Sequence, residues 1–114
     1  MTMDLTSKKC VPCESWVPPM EEEKAKEMLK EVPGWELSKS TDNQFQITRK
    51  FEFKDFKESM SFINKVADLA ESEGHHPDIY IFYNKVTLTL STHFIKGLSE
   101  NDFILAAKIN KLSQ

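Results

Sequence analysis

The stretch QFQITRKFEF, Gln44 to Phe53, alternates apolar and polar side chains. Phe45, Ile47, Phe51 and Phe53 fall on one side; Gln44, Gln46, Thr48, Lys50 and Glu52 fall on the other. A period of two is the signature of a strand with one buried face, so an all-helical fold is excluded. Only Arg49 breaks the apolar side. Whatever covers that face must come from the flanks, and both flanks read as helices. Upstream, after Pro18 and Pro19, EEEKAKEMLKEV starts acidic, aligns Ala25, Met28, Leu29 and Val32, and stops at Pro33-Gly34. Downstream, Asp55 followed by Glu58 is a variant capping box. It opens a helix whose Phe56, Met60, Ile63, Ala67 and Ala70 recur at helical spacing, with its end near Gly74.

Trp35-Glu36-Leu37 reads as a first strand before the polar loop SKSTDN. A second strand pair follows Gly74, in PDIYIFYNKVTLTL. Asn84 tolerates the left-handed conformation of a tight turn, so a turn at Asn84-Lys85 is expected. That register opposes Tyr83 to Val86, Ile81 to Leu88 and Ile79 to Leu90 on one face. On the other it opposes Phe82 to Thr87, Tyr80 to Thr89, Asp78 to Ser91 and His76 to His93. Ser99 with Asp102 repeats the capping pattern ahead of FILAAKINKL. Phe103, Ile104, Leu105, Ala106, Ala107, Ile109 and Leu112 cover most of that third helix, which points either to a partner subunit or to full burial within its own chain. The order α-β-β-α-β-β-α predicts an α+β domain, an antiparallel sheet of about four strands with three helices on one face.

Composition limits the partners. The chain has 114 residues, 15 Lys+Arg and 18 Asp+Glu, with a formal net charge of −3 and no long single-sign run, which argues against direct nucleic-acid binding. No apolar run approaches the roughly 18 residues of a membrane span, and MTMDLTSKKC lacks a secretory signal. The expectation is a soluble, cytoplasmic protein without a membrane partner. Residues 1–18 read as a flexible arm and residues 19–114 as a single domain. Within the arm, CVPC holds Cys10 and Cys13. A zinc site needs a full tetrahedral ligand set and a redox pair needs a strand before it and a helix after it; neither is present, which leaves incidental thiols kept reduced.

All three histidines, His75, His76 and His93, lie around the second strand pair. The hairpin register brings His76 to His93, and His75 lies in the helix-to-strand turn between Gly74 and Pro77. Imidazole, with an ordinary pKa of about 6.5, is suited to giving and taking protons near neutrality. Alternative readings are histidines that cap a helix or pair with Glu71 or Glu73, and a three-histidine metal centre. Adjacent histidines in an extended chain point apart, which disfavours one shared ion. Ser91 and Thr92 beside His93 show no nucleophile elbow.

The spacing Glu71-x3-His75-His76-Pro77, Tyr83, His93, Asp102, together with YNKVTLTLSTH and GLSEND, resembles the pterin-4a-carbinolamine dehydratase family, with looser similarity from about Pro19 to the C-terminus. The resemblance implies loss of water from 4a-hydroxytetrahydrobiopterin to the quinonoid dihydropterin, in the recycling of tetrahydrobiopterin for aromatic amino acid hydroxylases. It implies no metal and no cofactor, His75 and His93 as the acid/base pair, and His76 holding the pterin. Ser91 and Thr92 would offer main-chain hydrogen bonds, with Gly74 and Pro77 beside the substrate. Asp102 would orient a histidine as well as cap its helix; Glu71 either bonds His75 or faces water. The resemblance also implies a homodimer or homotetramer through the sheet edge and the C-terminal helix. Mammalian members of the family partner a homeodomain transcription factor, which keeps a non-catalytic dimerisation role and a nuclear location open.

Overall fold

The structure, a computed structural model, describes residues 5–8, 10 and 18–113. Strands β1 (Glu36–Lys39), β2 (Phe45–Glu52), β3 (Asp78–Phe82) and β4 (Lys85–Leu90) make one antiparallel sheet in the order β1-β2-β4-β3. Helices α1 (Glu22–Leu29), α2 (Phe56–Glu73) and α3 (Glu100–Leu112) and the 3-10 turns Leu5–Ser7 and His93–Ile95 complete it. This is the α+β order α-β-β-α-β-β-α that the periodicities predict. Ile47, Phe51, Val86, Leu88 and Leu90 supply the buried sheet face, and Ala25, Met28, Phe62, Val66 and the apolar residues of α3 pack over it. On the other face hydroxyls replace the core: Thr48 Oγ1 lies 3.3 Å from Thr89 Oγ1 and 3.4 Å from Ser38 Oγ.

Arg49, the one interruption of the β2 pattern, sits at the core's edge. Its guanidinium lies 4.4 Å over the Phe51 ring and donates to Asn110 Oδ1 at 2.5 Å. Trp35 Nε1 donates to the same oxygen at 2.8 Å, so α3, β2 and the α1–β1 turn are tied at one amide. At Gly34 φ is +92°, a conformation that favours glycine, and a Cβ there would stand 2.8 Å from the Arg49 guanidinium and push it aside.

Three local expectations are corrected and one open alternative is decided. The first helix closes at Leu29, and Lys30, Glu31 and Val32 continue in tighter turns bonded three residues back, because the residue before Pro33 resists the helical conformation. The buried stripe of α2 is Ser59, Phe62, Val66 and Ala70, whereas Phe56 is 49 % exposed and Ala67 lies at the surface. Two stripes share the same spacing. Phe62 wins because its ring meets Phe51 at 4.7 Å and Phe53 at 5.0 Å, contacts that only the folded sheet provides.

The third correction is the hairpin. Its turn is Tyr83-Asn84, Tyr83 taking the left-handed φ of 53°, and the register is Ile79↔Leu88, Ile81↔Val86 and Phe82↔Lys85. The faces survive, because the slip moves each pair by an even step, but every partner changes. Asn84 is held by the residue after β2: its carbonyl accepts from the Phe53 amide at 2.8 Å and its side-chain amide donates to the Phe53 carbonyl at 2.9 Å. The open alternative concerned α3, whose apolar surface is consumed within the chain. Asn101 to Ala107 and Ile109 are buried, and the Leu5–Ser7 turn packs on the helix with Leu5 in the core. Of the two readings of α3, burial in its own chain holds. Of the CVPC motif, only Cys10 is among the described residues; Val11, Pro12 and Cys13 lie outside them.

Candidate active site

Two helix ends build the site. Asp55 caps α2 by accepting from the Glu58 amide at 2.9 Å, and the helix runs to Glu73. There Gly74, at φ 68°, turns the chain out of the helix while its amide and that of His75 both bond the Ala70 carbonyl, at 2.9 and 3.3 Å. His75 is thereby turned inward and is only 9 % exposed. The next residue, His76, points to solvent.

Facing His75 is the start of α3. Asp102 is fully buried, as the third helical residue of a capping box with Ser99. Its Oδ1 lies 2.6 Å from His75 Nε2; its Oδ2 accepts from the Ser99 amide and from Thr92 Oγ1, each at 2.9 Å. Since the Thr92 proton goes to the carboxylate, the Ser99 hydroxyl, 2.7 Å from Thr92 Oγ1, donates to Thr92. Asp102 Oδ2 already accepts two hydrogen bonds, and a hydrogen on His75 Nε2 supplies the donor that Oδ1 faces, which leaves Nδ1 as the ring's other nitrogen.

His93 opens the 3-10 turn that follows β4. Thr92 and Gly97 close this turn with paired main-chain bonds at 2.7 and 3.4 Å, Lys96 takes a left-handed φ of 57°, and buried Ile95 anchors it. His93 and Phe94 are left projecting outward, Phe94 being 55 % exposed. Gly74, His75, His76, Ser91, Thr92, His93 and Phe94 line one cleft of about 210 Å³.

The three histidines therefore share a cleft, but not for the reason that the hairpin suggested. The last β3–β4 pair is Asp78↔Thr89, and both His76 and His93 lie beyond the ladder, so the expected His76 to His93 pairing does not exist. The α2 terminus and the His93 turn bring them together instead. His76 Nε2 lies 2.8 Å from Glu71 Oε1, an exposed pair that settles where the Glu71 carboxylate points. Pro77 does not line the cleft, and Asp102 stands behind His75. Among the described residues no group of three or more His, Cys, Asp or Glu side chains could hold a metal ion. A larger hollow of about 390 Å³ lies on the open sheet face between Lys50, Tyr80, Phe82 and Lys85, without a histidine. Sequence reasoning overlooked Phe94 as a wall of the cleft and Ser99 as more than a cap. An unpaired aromatic directly after His93, outside any alternation, was the available signal for the first.

Known proteins resemble this chain along nearly its whole length. The sequence model of the family described as Pterin 4 alpha carbinolamine dehydratase matches residues 18–112. A Halorhodospira halophila protein, whose name gives that dehydratase activity provisionally, is 48% identical over 110 residues, covering 96% of this chain and 98% of its own. The Arabidopsis thaliana protein named pterin-4-alpha-carbinolamine dehydratase 2, mitochondrial, is 47% identical, with 96% of this chain and 59% of that longer protein aligned. The crystal structure of a transcriptional coactivator/pterin dehydratase from Brucella melitensis superposes with a TM-score of 0.75 at 36% identity, covering 84% of this chain and 99% of that one. By its sequence, its fold and its near-complete overlap with these relatives, the chain belongs to the pterin-4a-carbinolamine dehydratase family.

Proposed function

We propose that the protein is a hydro-lyase that removes water from a 4a-hydroxytetrahydropterin, leaving the quinonoid dihydropterin. The observation that carries this reading is the cleft in which His75, backed by Asp102 at 2.6 Å, faces the same space as His93. The elimination moves two protons and no net electrons: one group protonates the departing 4a-hydroxyl, the C–O bond breaks, and the other accepts a ring-nitrogen proton as the C=N bond forms. His75 and His93 are our acid/base pair. Asp102 holds the His75 ring and its tautomer, His76 orients the pterin, Ser91 and Thr92 offer main-chain groups to the ring edge, and Phe94 gives its planar face an apolar wall. Glu71 acts only through His76.

Chemically generated 4a-hydroxytetrahydropterin should lose water faster with the protein than without it, and a His75→Ala, His93→Ala double variant should lose most of that gain. Equal rates with and without the wild-type protein would sink the reading.

A second reading concerns assembly. With α3 enclosed, its surface is poorly suited to a transcription-factor partner or to a second subunit. Strand β3 lies at the sheet edge and exposes Ile79, Tyr80 and Phe82, with Tyr83 exposed in the turn beyond it, an apolar edge that invites pairing. We place self-association there; light scattering of wild type and of Tyr80→Lys, Phe82→Lys tests it, an unchanged mass in the variant counting against it. No helix among the described residues is long and apolar enough to cross a membrane.

A further inference from the structure

We propose that Glu73, Lys108 and the main chain of Cys10 form a clamp that positions His75; this deepens the dehydratase reading and rests on it. His75 follows the end of α2 and Asp102 lies in the first turn of α3, so their 2.6 Å bond persists only while the end of α2 and the start of α3 keep their spacing. The link from α2 to His75 is Gly74, and no heavy atom lies within 4 Å of where its Cβ would stand. Nothing packs on that side of the link to stiffen it.

The stiffness comes from the preceding residue. Glu73 is the last residue of α2, and its side chain is nearly buried. Its Oε2 takes Lys108 Nζ at 2.9 Å and its Oε1 takes the Cys10 amide at 2.9 Å. Lys108 stands on α3 beyond Asp102, about 9 Å further along the helix axis at 1.5 Å per residue. The end of α2 is thus held to α3 at two separated points, Asp102 and Lys108, which sets both its distance and its angle. Cys10 closes the third side: its Sγ lies 3.6 Å from the carbonyl oxygen of Asn101, the residue before Asp102. Burial, with the Glu73 carboxylate beside it, pushes the Cys10 thiol up to about 12, so it stays a neutral donor. Lys8, paired with Glu100 at 3.2 Å, continues the same strap along the first turn of α3.

Net stability explains such a pair poorly, because desolvating two charges offsets most of their attraction and an apolar pair of similar volume does as well. Geometry explains it better: carboxylate, ammonium and amide meet at one defined point.

The test uses the full chain carrying Glu73→Leu with Lys108→Met, which keeps an apolar α2–α3 contact but removes the acceptor of the Cys10 amide. We expect it to melt with wild-type cooperativity, to lose about tenfold in kcat with KM unchanged, and to lose the protected His75 Nε2–H signal in proton–nitrogen NMR. Glu73→Gln, which keeps the acceptor, should restore most of the rate and the signal. A folded double variant with wild-type kcat and wild-type imidazole signals overturns the clamp. If the double variant does not fold, Glu73→Ala with Lys108→Ala, which likewise removes the acceptor and the ammonium, takes its place under the same criteria. Absence of any acceleration by the wild type would remove the dehydratase reading alone, while the imidazole signals would still decide whether the clamp holds His75.

Discussion

His75 and His76 are neighbours in sequence with opposite surroundings. His75 is enclosed against a fully buried carboxylate whose every oxygen is bonded. His76 stands in solvent against Glu71, itself exposed. The difference begins at Gly74, whose left-handed turn points the first ring inward and leaves the second outside. A histidine–carboxylate contact in water contributes about 0.2 to 1 kcal/mol at best, whereas removing one half of a buried contact leaves the other polar group buried without its partner. The same two side-chain types, histidine and carboxylate, therefore fix geometry on one side of the cleft and supply an adaptable contact on the other.

The largest effect that should break this contrast is truncation of the two rings. His75→Ala should lower kcat by about 10²- to 10⁴-fold, the usual worth of a positioned acid/base group, while His76→Ala acts mainly on KM. Steady-state dehydration kinetics of both variants decide it, and equal losses in kcat would erase the distinction. Next comes the pair of carboxylates. Asp102→Asn keeps the shape but offers an amide where three donors converge, so kcat should fall about 10- to 100-fold and the protein should melt earlier. Glu71→Gln should stay within about twofold of wild type in rate and melt unchanged. Thermal melts alongside the kinetics would expose an error in either half.

Smaller still is the backbone effect at the branch point. Gly74→Ala meets no steric neighbour, yet it forces a Cβ into the left-handed region, so it should cost about 1 to 2 kcal/mol in urea unfolding. A loss within error would mean that the turn is relaxed rather than imposed. For Phe94→Ala KM should rise a few-fold with kcat unchanged, as expected for about 0.5 to 1.5 kcal/mol of ring contact. An altered kcat would place Phe94 closer to the chemistry than a wall.

Much of this was legible beforehand, and the failures have a common cause. The β2 alternation, the Asp55 cap, the glycine stop at residue 74 and the Ser99–Asp102 box are interactions within a few residues, and each stands where the local pattern puts it. The α2 stripe went wrong because Phe56-Met60-Ile63 and Ser59-Phe62-Val66 satisfy the same periodicity. The hairpin turn went wrong because Asn84 looks like the left-handed residue, but its bonds to Phe53, a strand away, leave that conformation to Tyr83.

By itself, then, the chain's sequence determined its element types and order, both ends of the second helix and the start of the third, and a set of histidines and carboxylates at spacings that mark a family. Only the tertiary structure decided which helix stripe is buried, which carboxylate each histidine meets, and that α3 is enclosed by its own chain. The physical reason is range. Caps, turns and periodicity are settled by neighbours along the backbone, whereas alternatives of equal local energy are separated only by contacts such as Phe62 on Phe51 or Asp102 on His75, between residues that meet after folding.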